Sequence, residues 1–117
     1  MKELLGTDIR TRIERDLIRL GYEFVVANPD DYTNMSPGMY CDMVVAGRVI
    51  GAPEMVHEAV NRARTLVDTQ FFADGWWREC APSYHWQTVG ALDEIVRAVR
   101  GYSDPPEYPK PRIDDAD

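Results

Sequence analysis

The sequence predicts an α+β fold, a small mixed or antiparallel sheet with three helices in the order α-β-β-β-α-β-α. Three observations predict it. Short apolar runs rich in β-branched and aromatic residues, at 22–27, 39–46 and 48–52, have the length of strands. Apolar residues recur at helical spacing in three other segments. The two kinds of segment are interleaved, as expected for helices packed against one sheet.

Taken in order, Ile9, Ile13, Leu17 and Leu20 predict a helix over 8–20, capped by Thr7 or Asp8 and ended by Gly21. Arg10, Arg12, Glu14, Arg15 and Arg19 occupy much of its other surface and read as a solvated face, with Arg15 and Arg19 a like-charged pair one turn apart. A first strand over 22–27 is stopped by Asn28-Pro29, and the polar run 30–38 is a loop. The runs 39–46 and 48–52 form a hairpin that reverses at Gly47. Pro53 suits the first position of a helix, where its missing N–H costs no bond. Met55 or Val56, Ala59, Val60, Ala63 and Leu66 or Val67 make its apolar stripe, and Asp74-Gly75 end it. Trp76-Trp77 begin an extended fourth strand that stops near Ala81-Pro82. Val89, Leu92, Ile95, Val96 and Val99 mark a last helix between Thr88 and Gly101. The chain thus divides into one α+β domain over 1–102 and a mobile tail over 103–117, whose four prolines and five acids predict no core.

A chain of 117 residues, 44% hydrophobic, is long enough for one core without a metal or disulfide staple. Thirteen basic against twenty acidic residues give net charge −7, which disfavours direct binding to nucleic-acid phosphates or anionic lipid. A protein partner with a basic surface stays open, as does the plainer reading that the charge keeps the chain soluble. No stretch of 18 apolar residues is present and the start MKELLGTDIR lacks a signal-peptide centre, so a cytoplasmic location without membrane contact is expected. Cys41 and Cys80 read as buried reduced thiols. With His57 and His85 they match no short-loop zinc spacing, and no motif for a cofactor appears.

The run VVANPDDY, a loop, GMYCDMVVAGRVIGAP, a helix and WW-x-x-x-AP resembles the N-terminal portion of the glycine/inosamine-phosphate amidinotransferases. The resemblance covers about Ile13 to Pro82 and rests on Pro29-Asp30, Asp42, Gly47, Ala52-Pro53, Gly75, Trp77 and Ala81-Pro82. That family has the pentein fold of guanidino-group-modifying enzymes, so the resemblance implies that the middle of the chain is one ββαβ blade of it. The family usually has Pro-Arg-Asp where this chain has Tyr40-Cys41-Asp42, and its following helix starts differently from EMVHEAVNRAR. Asp42 matches an acid that the resemblance makes a substrate-positioning group, holding a guanidinium through two N–H bonds. The plainer reading of Asp42 is a strand-end acid satisfied by backbone N–H groups.

Covalent transfer of an amidino group needs a cysteine nucleophile and a histidine base. Neither Cys41 nor Cys80, and neither His57 nor His85, matches those of the family, so no catalytic residue is assigned and the isolated chain reads as catalytically incomplete. One alternative is a subunit of a split amidinotransferase. Another is a small cysteine enzyme built on Cys80 and His85.

Phe71, Phe72, Trp76, Trp77, Tyr84 and Trp86 crowd around Asp74-Gly75, a density beyond what one small core needs. Tryptophan, tyrosine and arginine dominate protein-binding hot spots. Phe72, Trp76, Trp77, Arg78, Tyr84 and Trp86 are therefore the candidate protein-binding residues, unless they only cover the open end of the sheet. The functional expectation is an amidinotransferase-like binding module, such as an inhibitor or accessory protein of a phage or mobile element. Its partners would be another protein and, because one face of a single blade needs cover, a second copy of the chain as a homodimer.

Overall fold

In the computed structural model, which describes residues 6–28, 31–114 and 116, the apolar run expected to be a hairpin is one helix. Among the described residues there are four helices: α1 over 7–27, α2 over Ser36–Ile50, α3 over Pro53–Gln70 and α4 over Pro82–Val99. No sheet is found among them, and one isolated antiparallel bridge, Phe71 to Trp77, stands where the fourth strand was expected. The α+β fold and the pentein-like ββαβ blade are thereby overturned in favour of a helical one. The chain divides into two compact units, one ending at residue 30 and the other beginning at 31.

In the first unit, α1 is α-wound over Thr7–Arg12, π-wound over Ile13–Arg19 and α-wound again over Leu20–Ala27. π winding brings residues five apart onto one side, and Arg19 Nη2 lies 3.1 Å from the carboxylate of Glu14 accordingly. Gly21 does not end this helix, and the strand expected over 22–27 is its continuation, because Leu17, Leu20 and Phe24 keep the spacing of a helical face. The stop comes at Asn28, whose side-chain amide donates to the Phe24 carbonyl at 2.7 Å. Pro29-Asp30, read as part of that stop and of the family resemblance, lie outside the described residues. No residue of α1 is buried.

In the second unit, α2 buries Ser36, Pro37, Tyr40, Met43, Val44 and Gly47. That is the repeat of a helical face, and burial of the neighbours Met43 and Val44 is incompatible with a strand buried on one side. Gly47 makes no turn. A Cβ there would stand 2.9 Å from the Ala52 carbonyl oxygen and 3.0 Å from Met55 Cβ, so glycine is what lets α2 and α3 approach. The reversal is at Gly51, in the left-handed region at φ 70°, and the Ala52 N–H closes it on the Gly47 carbonyl at 2.8 Å. Pro53 then starts α3.

α3 buries Met55, Val56, Ala59, Ala63 and Leu66 against α2, and α4 adds Thr88 and Ile95 to the same core. α2 packs against both α3 and α4, whereas α3 and α4 touch each other little. α4 begins at Pro82, so Thr88 is no cap: it sits buried inside the helix and its hydroxyl donates to the Tyr84 carbonyl at 2.8 Å. The stretch 103–117, expected as a tail, doubles back in its described residues through Asp104 N–H to Ile113 carbonyl (2.8 Å), and the Gly101 N–H just before it donates to the Ala116 carbonyl (2.7 Å). Asp115 and Asp117 of that stretch lie outside the described residues. No helix among the described residues is long and apolar enough to cross a membrane.

Candidate functional site

The loop from α3 to α4 sorts the aromatic cluster into an inner and an outer part. Its turn is closed by Gly75 N–H to Phe72 carbonyl at 2.8 Å and by Phe72 N–H to Trp76 carbonyl at 2.9 Å, and Asp74 Oδ1 accepts from the Trp76 N–H at 3.1 Å. Gly75 sits at φ 83°, which glycine adopts without strain. Alternation of side chains past the Phe71–Trp77 bridge then sends Trp77 inward.

Trp77 is 0% exposed, meets Phe71 edge to face at 5.3 Å, and satisfies its indole N–H on Glu79 Oε2 at 2.6 Å. It belongs to the core. The Trp77 backbone N–H donates to His85 Nδ1 at 3.2 Å, which orients the imidazole. Trp76, half-buried, lies flat on that ring with centroids 4.2 Å apart and planes 4° from parallel. Trp86 stands edge to face with the His85 ring at 5.3 Å and is 68% exposed, and Phe72 is 50% exposed. Trp76, His85 and Trp86, with Phe72 bonded through its backbone to Trp76, make an aromatic ledge open to solvent. Tyr84 is exposed too, but two positions before Trp86 on α4 it points to another side of the helix. Arg78 is committed to holding the loop: its Nη2 donates to the carbonyls of Asp31 (3.1 Å) and Tyr32 (3.0 Å), and its guanidinium covers the Trp77 ring at 5.8 Å.

Asp42 lies exposed on α2 without a hydrogen bond or ion pair to another described residue. A lone exposed carboxylate holds a guanidinium by only about 0–1 kcal/mol. Its neighbour Cys41 has its thiol pKa pushed up, first by burial and then by the charges of Glu94 and Asp42, which keeps it protonated and a poor nucleophile. Cys80 is exposed, with its thiol 3.4 Å from the Arg78 carbonyl. No hydrogen bond joins it to His85, whose Nδ1 is occupied by Trp77. The geometry assembles no Cys–His pair. Among the described residues no three His, Cys, Asp or Glu side chains gather as metal ligands would.

Two features escaped the sequence reading. The first is a polar network between α3 and the C-terminal stretch. The buried Asp104 carboxylate takes His57 Nε2 at 2.7 Å, the Ile113 N–H at 2.6 Å and the Tyr102 hydroxyl at 2.9 Å, and the His57 ring stacks on Tyr108 at 4.7 Å. A carboxylate only accepts, so the His57 proton in this bond sits on Nε2. Burial works to raise the Asp104 pKa, but the bonds from Ile113, His57 and Tyr102 outweigh it and hold it below the usual range. Tyr102 is pushed up by burial and by its bond to Asp104. His57 and Asp104 are 47 residues apart, beyond any local motif.

The second is a recess of about 350 Å³ where α3 and α4 diverge, lined by Val60, Ala63, Val67, Leu92, Val96 and Val99, with Arg64 and Asp68 at its side. Its signal was visible as an apolar stripe on α3 too wide for one contact face, since Val60 and Val67 flank Ala63. Comparison with protein families, with curated proteins and with solved structures yields no match to this chain.

Proposed function

We propose that the chain is a helical protein-binding module that docks through the ledge of Phe72, Trp76, His85 and Trp86. The observation that carries this reading is an indole 68% exposed beside a stacked indole–imidazole pair whose geometry is already fixed by backbone bonds. Large aromatic surfaces held rigid lose little entropy on binding, and anchors of this kind account for most of the energy in protein interfaces. The net charge of −7 favours a partner presenting a basic surface, with arginine able to lie on the open indole face. The reading uses no catalytic group. It also needs no sheet.

The test is affinity capture from the native host with wild-type chain and with Trp86→Ala and Phe72→Ala, followed by titration of the captured partner. The expected result is one partner whose affinity falls by about 30-fold or more for Trp86→Ala, the loss typical of a central tryptophan. Equal affinity of all three chains for every partner sinks the assignment of the ledge.

A further inference from the structure

α1 carries Ile9, Ile13, Leu17, Leu20 and Phe24 exposed along its length and buries nothing. A single helix in water owes most of its stability to packing of its apolar face, so this face calls for a cover. On it, Ile9, Ile13 and Leu17 border a recess of about 260 Å³ flanked by Arg12 and Asp16, which are one turn apart. The α3–α4 recess is a cleft between helices with an apolar lining of Val60, Val67, Leu92, Val96 and Val99. It too is flanked by a base and an acid one turn apart, Arg64 and Asp68, and neither forms an ion pair with another described residue.

The order of the charges selects a direction. Both helices read Arg then Asp from N to C. Laid parallel they place like charges opposite each other, whereas laid antiparallel Arg12 meets Asp68 and Asp16 meets Arg64. We propose that α1 of a second copy of this chain lies antiparallel to α3 in the α3–α4 cleft, with these two cross-pairs setting its register. Asp16 is held at present only by the exposed Arg15 (2.5 Å) and Arg12 (3.9 Å), pairs worth little and readily exchanged. Each copy offers both surfaces, so the pairing can close on itself as a dimer. It does not involve the aromatic ledge.

The experiment is sedimentation velocity on the full chain over a range of concentrations, with two double variants at exposed positions: Arg12→Asp with Asp16→Arg, and Arg64→Asp with Asp68→Arg. Wild type is expected to dimerise, each double variant to dimerise about tenfold more weakly or worse because like charges then face each other, and the combined fourfold variant to return to near wild-type affinity. Circular dichroism at each variant's working concentration confirms that the helices of the second unit are intact. Trp86→Ala is expected to dimerise normally, which separates this site from the ledge. A wild-type chain that stays monomeric at all concentrations overturns the proposal, as does a dimer indifferent to both double variants or a fourfold variant no tighter than either.

Discussion

Trp77 and Trp86 stand nine positions apart in one polypeptide and do opposite work. Trp77 has every group satisfied internally: its ring edge on Phe71, its indole N–H on Glu79 and its backbone N–H on His85. Trp86 touches the same histidine at its edge and leaves most of its surface in water. The difference teaches that His85 is a divider. By accepting the Trp77 N–H it anchors the inner tryptophan to α4, while Trp76 stacks on its ring and the exposed Trp86 meets it edge to face. Aromatic density alone therefore does not distinguish buried from exposed rings, while the bonds each ring makes do.

The largest effect expected on that contrast is from Trp77→Ala, which empties a fully buried ring site and should destabilise the second unit by about 3–5 kcal/mol. Urea denaturation followed by circular dichroism measures it, and a loss under 1 kcal/mol removes Trp77 from the core. Gly47→Ala comes next. At an open helix position alanine would add about 1 kcal/mol of stability. Here its Cβ must displace the Ala52 carbonyl and α3, so a loss of about 1–3 kcal/mol is expected, and a gain would show that the two helices are not in close contact.

Asp104→Asn should cost about 2 kcal/mol near neutral pH by weakening bonds to a buried charge. Because the folded pKa of Asp104 is lowered, its contribution is complete above the unfolded aspartate value near pH 4 and is lost as pH falls through the folded value. His57, Tyr102 and Tyr108 face the carboxylate, and the charge of Glu54 reaches both tyrosines. Denaturation at pH 7 and at pH 3 should thus show a narrower gap between wild type and Asp104→Asn at the second pH than at the first. An equal gap at both would assign the difference to packing. The smallest stability effect is expected of Trp86→Ala, within about 0.5 kcal/mol, as for an exposed residue without internal bonds. A large loss would turn Trp86 into a second structural tryptophan and take the ledge away from any partner.

How much was legible depended on range. α3 could be read because its signals are local and agree: Pro53 at the start and Met55, Ala59, Ala63 and Leu66 at helical spacing. α2 could not. Val, Met and Tyr spoke for a strand, Gly47 for a turn, and only the adjacent burial of Met43 and Val44 betrays a helix packed on two neighbours. β-branched residues have weak preferences that packing overrides. The ledge was legible as a cluster, but not which of its members face water, since the Trp77–His85 bond that sorts them spans two elements. The Asp104 network was hidden for a similar reason, as composition placed that acid in solvent while the distant His57, together with Tyr102 and the Ile113 N–H from its own stretch, took it out.

By itself the sequence determined the acidity, the helix start at Pro53, the turn at Asp74-Gly75, and the stripes that repeat within one element. These are properties of single residues and near neighbours. Which glycine turns and which lets helices touch, which tryptophan is core, and where Asp104 is buried were decided only in the tertiary structure. Each is a contact between two different elements of the chain, and its energy exists only once both elements are in place.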